Sequence, residues 1–208
     1  MSLEKNREAV KAELCRILTK IGALKFGIFK LTSGRKSPYY IDLRIVPSFP
    51  DAFRKICDFY VSLIETDLGP DSFDRIAAVP TAGISFASII AYLMRKPFLY
   101  IRPRARLHGR ERRIEGLLMP GDHVLVIDDL ITTGVSLGKA AEAVRAEGGT
   151  VTDAVVLLDR EESGKENLAG SNVTLHYLLR MSEAAKILYA MDAIKEDQYK
   201  LILKQVKK

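Results

Sequence analysis

The residues best equipped for chemistry lie in one run, Val124-Leu125-Val126-Ile127-Asp128-Asp129-Leu130-Ile131-Thr132-Thr133-Gly134-Val135-Ser136. An apolar stretch leads into two adjacent carboxylates, and a Thr-Thr-Gly-x-Ser turn follows. Asp128 and Asp129 offer hard oxygens that suit ribose hydroxyls or magnesium. Thr132, Thr133, Gly134, Val135 and Ser136 offer small hydroxyls and the unpaired amides of a helix start, which suit a phosphate monoester. A pair of aspartates that merely caps a helix is the plainer alternative. It accounts for the pair but not for the whole string. The run is not a dinucleotide fingerprint, because GxGxxG is missing, nor a P-loop, because no Gly-Lys-Ser/Thr follows.

Two further places carry charge with a purpose. Arg102–Gly116 holds six arginines, one histidine and two glutamates. It reads as a solvated basic loop, an RNA-binding run or a polyphosphate-binding loop. The lack of any aromatic residue to stack bases counts against RNA, and the phosphate-suited string that follows counts for polyphosphate. Arg160 stands just past an apolar strand. There a guanidinium can meet a substrate carboxylate through two parallel hydrogen bonds, or form a surface ion pair with Glu161 or Glu162. Cys15 and Cys57 have neither a CxxC spacing nor the neighbours of a nucleophile. His123 and His176 fall at or within strands and read as structural.

The elements that must position these groups follow from periodicity. Residues 4–22 form an amphipathic helix with Val10, Leu14, Ile17 and Leu18 on one side. Tyr39–Leu43 alternates like a strand, with one of Tyr39 and Tyr40 in the core and the other lining a pocket, and Phe49–Asp67 is a second helix. Strands at Arg75–Val79, Phe98–Ile101, His123–Ile127, Val151–Leu158 and Val173–Leu178 are joined by helices at Ile84–Met94 and Gly134–Glu147, and helices close the chain. Apolar strands alternating with helices predict a parallel sheet covered on both faces. Ligands bind at the carboxyl ends of such strands, which places the sites in the loops after Val79, Ile101, Ile127 and Leu158.

The chain has 208 residues, 48% of them hydrophobic and 28% charged, with a net charge of +6. These values exclude global disorder and fit one α/β domain over residues 1–208, with a hood of about 1–48 and a core of about 49–208. Its apolar stretches are too short to span a bilayer, and its first residues lack a signal-peptide core. With two cysteines and no framework spacing, a cytoplasmic setting is expected.

The string at 124–136 resembles the phosphoribosyl-diphosphate (PRPP) motif of type I phosphoribosyltransferases. Four further segments are similar to the orotate branch of that family: Phe26-Gly27 with Leu31 through Tyr40, Val79 through Ile84, Arg102 through Gly116, and Leu157-Leu158-Asp159-Arg160. The resemblance implies the type I phosphoribosyltransferase fold and transfer of phosphoribose from PRPP to orotate, as in UMP biosynthesis. It implies that Asp128 and Asp129 hold ribose hydroxyls or hydrated magnesium, and that Thr132–Ser136 cradle the 5′-phosphate. Thr81, Ala82 and Gly83 would receive pyrophosphate and Arg102 would join the PRPP site. Arg106 and His108 would act on the leaving group. Arg160, Thr132 and the amides near Phe29 and Lys30 would hold orotate. Mg²⁺ would enter mainly through PRPP and water, with no direct protein ligand. With about fifteen residues, six arginines and no apolar periodicity to dock it, 102–116 is expected to be one mobile loop, a lid. The resemblance also implies a homodimer in which this loop serves the neighbouring site, with neither nucleic acid nor membrane as partner. The chain departs from the family's common pattern at Thr32, Ala82, Pro103 and Arg106, where lysines are usual. Arg106 can neutralise charge but, with a pKa above ~12, cannot give up a proton. A PRPP- or nucleotide-sensing regulator, or a transferase for another base, is the alternative.

Overall fold

The computed structural model describes residues 3–30, 36–102 and 113–206, with side chains from residue 7 onward. Two compact units emerge from the chain. One comprises residues 57–159 and 163–178, the other residues 1–56, 160–162 and 179–208.

The first unit is built on β3 (Arg75–Ala78), β4 (Phe98–Ile101), β5 (Ile114–Glu115), β6 (Val124–Ile131), β7 (Asp153–Asp159) and β8 (Thr174–Arg180, whose last two residues fall in the other unit). They form one sheet in the order β5-β4-β3-β6-β7-β8. Pairings β3–β4, β3–β6 and β6–β7 are parallel, and β4–β5 is antiparallel. Helices α3 (Ala82–Met94), α4 (Val135–Ala146) and α5 (Gly164–Gly170) connect the strands. Ala77, Val124, Val126, Ala154 and Val156 pack with Leu137, Ala140, Ala141 and Val144 of α4 and Leu168 of α5. The residues between them, Ile76, Ala78, Leu125, Ile127, Val155 and Leu157, are equally buried. Burial on both faces is why these strands are continuously apolar rather than alternating. The expected mainly parallel sheet flanked by helices is the observed one.

Two differences from the sequence expectation bear on the site. β6 was expected to end at Ile127 but runs to Ile131, because its pairing with β7 continues through Asp128↔Val156, Leu130↔Leu158 and Ile131↔Asp159. Ladder bonds and the buried Ile131 outweigh the poor strand preference of two aspartates. The acid pair therefore lies inside a strand. The basic run was expected to be one loop with nothing to dock it, yet Ile114 and Glu115 form an edge strand on Ile101 and Tyr100. Ile114 is buried in the core, an anchor that one isolated apolar residue among charges did not advertise.

The second unit contains α1 (Leu3–Lys20), the hairpin β1 (Leu24–Lys30) with β2 (Lys36–Ile41), a 3-10 helix (Leu43–Ser48), the start of α2 (Pro50–Asp67), α6 (Met181–Ala190) and α7 (Glu196–Val206). The buried side of α6 is Met181, Ala184, Ala185 and Leu188, the spacing of one helix face. Lys11 of α1 pairs with Glu183 of α6 at 2.8 Å, and Tyr189 of α6 stacks on Tyr199 of α7 with centroids 5.0 Å apart. The turn at 31–35, including Thr32, lies outside the described residues.

Candidate functional site

In the first unit, the site starts from the end of β6. The Asp128 and Asp129 carboxyl groups lie within hydrogen-bond reach of each other but differ in exposure. Asp128 is 8% exposed, while Asp129 is half-buried. The Asp129 amide donates to Asp128 Oδ1 at 2.9 Å. Burial, with the Asp129 charge beside it, raises the Asp128 carboxyl well above the ordinary carboxylate value. The backbone here is held from below by Tyr60 of α2. Its fully buried hydroxyl donates to the Asp128 carbonyl at 2.7 Å and accepts from the Leu157 amide, tying β6 to β7 at the acid pair. The Tyr60 ring packs on Phe86 of α3 at 5.9 Å.

The loop before α3 closes on the same carboxylate. A Cβ at Gly83 would stand 2.9 Å from Asp128 Oδ1 and 3.0 Å from the Ile127 carbonyl, so only glycine lets α3 start this close to β6. Thr81 is exposed at the start of α3, Ala82 is half-buried, and the Pro80–Thr81 peptide is cis. Gly83 and Asp128 are therefore close neighbours at the carboxyl edge of the sheet.

Past β6 the chain makes the turn Thr132–Gly134 and enters α4. Gly134 caps that helix in the left-handed region, φ 77°, and brings no side chain to cover the first-turn amides of α4. Val135 and Ser136 follow it, both exposed. The turn is backed by α5: Asn167 Nδ2 donates to the Thr133 carbonyl at 2.9 Å. Arg102, at the end of β4, pairs with Glu115 at 3.0 Å, and its amide donates to the Arg113 carbonyl at 2.7 Å. Both ends of the basic segment are thereby tied to the sheet edge. Arg106, His108 and Pro103 lie outside the described residues.

The residues expected to face the base divide differently. Thr132 is in the first unit, whereas Arg160, Phe29 and Lys30 are in the second. Arg160 lies over the Tyr39 ring, 5.4 Å from its centroid, and its Nη2 pairs with Glu162 Oε1 at 2.7 Å. The arginine side chain is 15% exposed and the glutamate 24%, so this is a half-buried pair and not a surface one. The Arg160 Nε and the Tyr39 hydroxyl are buried without a hydrogen-bond partner of good geometry. Burial raises the Tyr39 hydroxyl's pKa, opposed by the Arg160 charge. Tyr40 is 36% exposed and packs on half-buried Phe29, centroids 5.6 Å apart. The core tyrosine is thus Tyr39. Lys30, at the end of β1, is exposed.

Sequence reasoning missed Tyr60, Gly164 and Asn167, which hold the site from behind. Tyr60 could have been suspected, since a tyrosine on the apolar face Ile56-Tyr60-Leu63-Ile64 needs a partner for its hydroxyl. Gly164 and Asn167 carry no such signal. Cys15 and Cys57 are both buried, and burial pushes the Cys15 thiol up to about 12, so neither resembles a nucleophile. Among the described residues, no cluster of three or more His, Cys, Asp or Glu side chains could hold a metal ion, and no helix is long and apolar enough to cross a membrane.

The phosphoribosyl transferase domain model matches residues 49–175. The chain is 43% identical to the orotate phosphoribosyltransferase of Cenarchaeum symbiosum over 85% of this chain and 88% of that protein. It is 41% identical to that of Staphylothermus marinus over 95% of both. The crystal structure of the Aeropyrum pernix orotate phosphoribosyltransferase superposes with a TM-score of 0.72 at 33% identity, covering 86% of this chain and 99% of that one. Leishmania donovani UMP synthase matches with a TM-score of 0.83 at 30% identity over 96% of this chain, which spans only 43% of that larger one. Since the match runs through both units, and not through the phosphate string alone, the chain belongs to the phosphoribosyltransferase family, in its orotate branch.

Proposed function

We propose that this chain transfers the phosphoribosyl group of PRPP to orotate, giving orotidine 5′-monophosphate and pyrophosphate, the step that feeds UMP synthesis. The observation that carries the reading is the end of β6, where Gly83, Asp128 and the turn into α4 come together around one strand end. In the reaction the bond from the anomeric carbon to the diphosphate oxygen breaks, and a bond from that carbon to a ring nitrogen of orotate forms. Positive charge grows on the ribose and negative charge on the leaving group, so pre-set partners for each lower the barrier.

Asp128 and Asp129 take the ribose hydroxyls, and Thr132–Ser136 take the 5′-phosphate on amides and hydroxyls. Thr81, Ala82 and Gly83, with Arg102, face the pyrophosphate. Arg106 supplies charge to it, and His108 donates a hydrogen bond or proton. Arg160 pairs with the orotate carboxylate, and Thr132 and the backbone at Phe29 and Lys30 are the further groups that hold the base. The donor set fits magnesium: two hard carboxylates, with no third protein ligand among the described residues, suit an ion that keeps waters and takes its other oxygens from a diphosphate. Asp128 and Asp129 would hold it through water, and when bound it would neutralise the departing pyrophosphate.

The family resemblance supports a homodimer whose segment 102–116 serves the neighbouring site, and two cysteines with no framework spacing fit a reducing cytoplasm. Mixing a variant lacking Arg106 and His108 with one lacking Asp128 and Asp129 should restore activity under subunit exchange if that segment acts in trans. Exchange without recovery would rule this out. Incubation with PRPP, Mg²⁺ and one base at a time tests the activity itself. Orotate should be consumed with one pyrophosphate released per product. Turnover of adenine or hypoxanthine in place of orotate would overturn the assignment, and binding of PRPP with no turnover of any base would mark a sensor.

A further inference from the structure

We infer that Asn167 and Gly164 of α5 are positioning residues for the 5′-phosphate, acting through the turn Thr132–Gly134. The inference rests on the reading of Thr132–Ser136 as the phosphate cradle. A turn that offers amides to an anion must send its carbonyls the other way, because the carbonyl and the N–H of one trans peptide plane point in opposite directions. The Thr133 carbonyl and the Gly134 amide share one such plane. Asn167 Nδ2 holds that carbonyl at 2.9 Å, which aims the Gly134 amide away from α5.

Gly164 sets how closely α5 approaches. A Cβ there would stand 2.5 Å from the Thr132 carbonyl and 2.6 Å from two carbons of the Ile131 side chain. From the other side, a Cβ at Gly134 would stand 2.9 Å from the Gly164 carbonyl and 3.3 Å from Leu168 Cγ. Leu168 is itself buried in the main core. The two glycines thus let α5 and the turn meet backbone to backbone, with Leu168 fixing the helix and Asn167 fixing the peptide plane. Neither residue has to touch the substrate. Their effect reaches it only through the direction of amides at the start of α4.

Binding of ribose 5-phosphate, PRPP and inorganic pyrophosphate to the full chain, together with the orotate KM, tests this. Asn167→Ala should weaken ribose 5-phosphate and PRPP alike, by about three- to tenfold, the range of a single hydrogen bond. Pyrophosphate affinity and the orotate KM should stay within about twofold, the resolution expected for sites that share no partner. Gly164→Ala should have the larger effect in the same pattern; if it does not fold, Asn167→Ala alone decides. Lys165→Ala, exposed on the same helix, should change nothing. Equal losses for pyrophosphate and orotate in Asn167→Ala would mean general loosening and overturn the inference. Unchanged ribose 5-phosphate affinity in Asn167→Ala, while Ser136→Ala loses it, would overturn the inference and leave the phosphate cradle standing. If Ser136→Ala also binds normally, the cradle reading fails and takes the inference with it.

Discussion

The two units hold their candidate groups by different physical means. In the sheet unit the backbone does the placing: a paired strand carries Asp128 and Asp129, Gly83 packs so close that a Cβ there would stand 2.9 Å from Asp128 Oδ1, and a helix start presents amides. In the second unit, side chains do it. Arg160 is aimed by the Tyr39 ring and by Glu162, and three polar atoms in that cluster, the Tyr39 hydroxyl, Arg160 Nε and Glu162 Oε1, lack a hydrogen-bond partner of good geometry. Backbone placement is rigid and tolerates few residue types, whereas side-chain placement leaves adaptable groups poised for a ligand. The contrast predicts that substitutions in the sheet unit abolish function without much re-adjustment. In the second unit they should shift affinity for one substrate.

The largest effect should come from Asp129→Asn, which removes a charge from the strand end while keeping its shape. Turnover should fall by about 10²–10³, the range for losing a pre-set electrostatic partner, with an unfolding midpoint close to the parent's. Normal PRPP affinity and turnover would show that the acid pair is structural and erase the contrast.

Next in size is Arg160→Ala. Truncating the buried partner of a substrate carboxylate costs about 2–5 kcal/mol, part of it from the carboxylate left unpaired. The orotate KM should rise at least about thirtyfold, equivalent to ~2 kcal/mol, and the PRPP KM by little. Equal rises for both substrates would make Arg160 a packing residue, and the second unit would then work as rigidly as the first.

Tyr60→Phe sharpens the comparison from the stability side. It keeps the ring against Phe86 but strips the buried hydroxyl from the Asp128 carbonyl and the Leu157 amide. Leaving such groups unpaired costs about 1–3 kcal/mol, readable as a lower denaturant midpoint with an unchanged slope. A midpoint within error of the parent's would mean that the strands simply close on each other, and that the sheet unit is less exacting than described.

The smallest effect expected is a pH slope. Asp128 holds its proton more tightly in the folded chain than in the unfolded one, because of burial and the neighbouring Asp129 charge. In the window above the ordinary carboxylate value, ~3.9, the folded state then binds more protons, so stability falls as pH rises through it. Asp128→Asn should remove that fall. Relative to the parent, the variant should gain in Tm from about pH 4 upward through neutral pH. Parallel Tm curves for the two proteins would show that Asp128 is fully compensated when charged.

How much was legible beforehand follows the same division. The string at 124–136 could be read because its candidate groups are neighbours in sequence: a strand, the two acids within it and the turn after it are contiguous. The parallel sheet could be read because burial on both faces leaves an unbroken apolar signature. β5 could not, since two residues give no period and Ile114 owes its place to Ile101 across the sheet edge. The end of β6 was misplaced for a related reason: pairing with β7, 28 positions away at Asp128↔Val156, decided it against local preference.

The sequence by itself determined which groups could do chemistry at the carboxyl edge of a parallel sheet, because those groups are consecutive and their helix and strand periods are local. Only the tertiary structure decided which aspartate is buried, that Tyr60 and Asn167 stand behind the site, and that Arg160 rests on Tyr39. Each of these is a contact between residues far apart in the chain. Such contacts are fixed by packing and hydrogen-bond geometry, which no local pattern encodes.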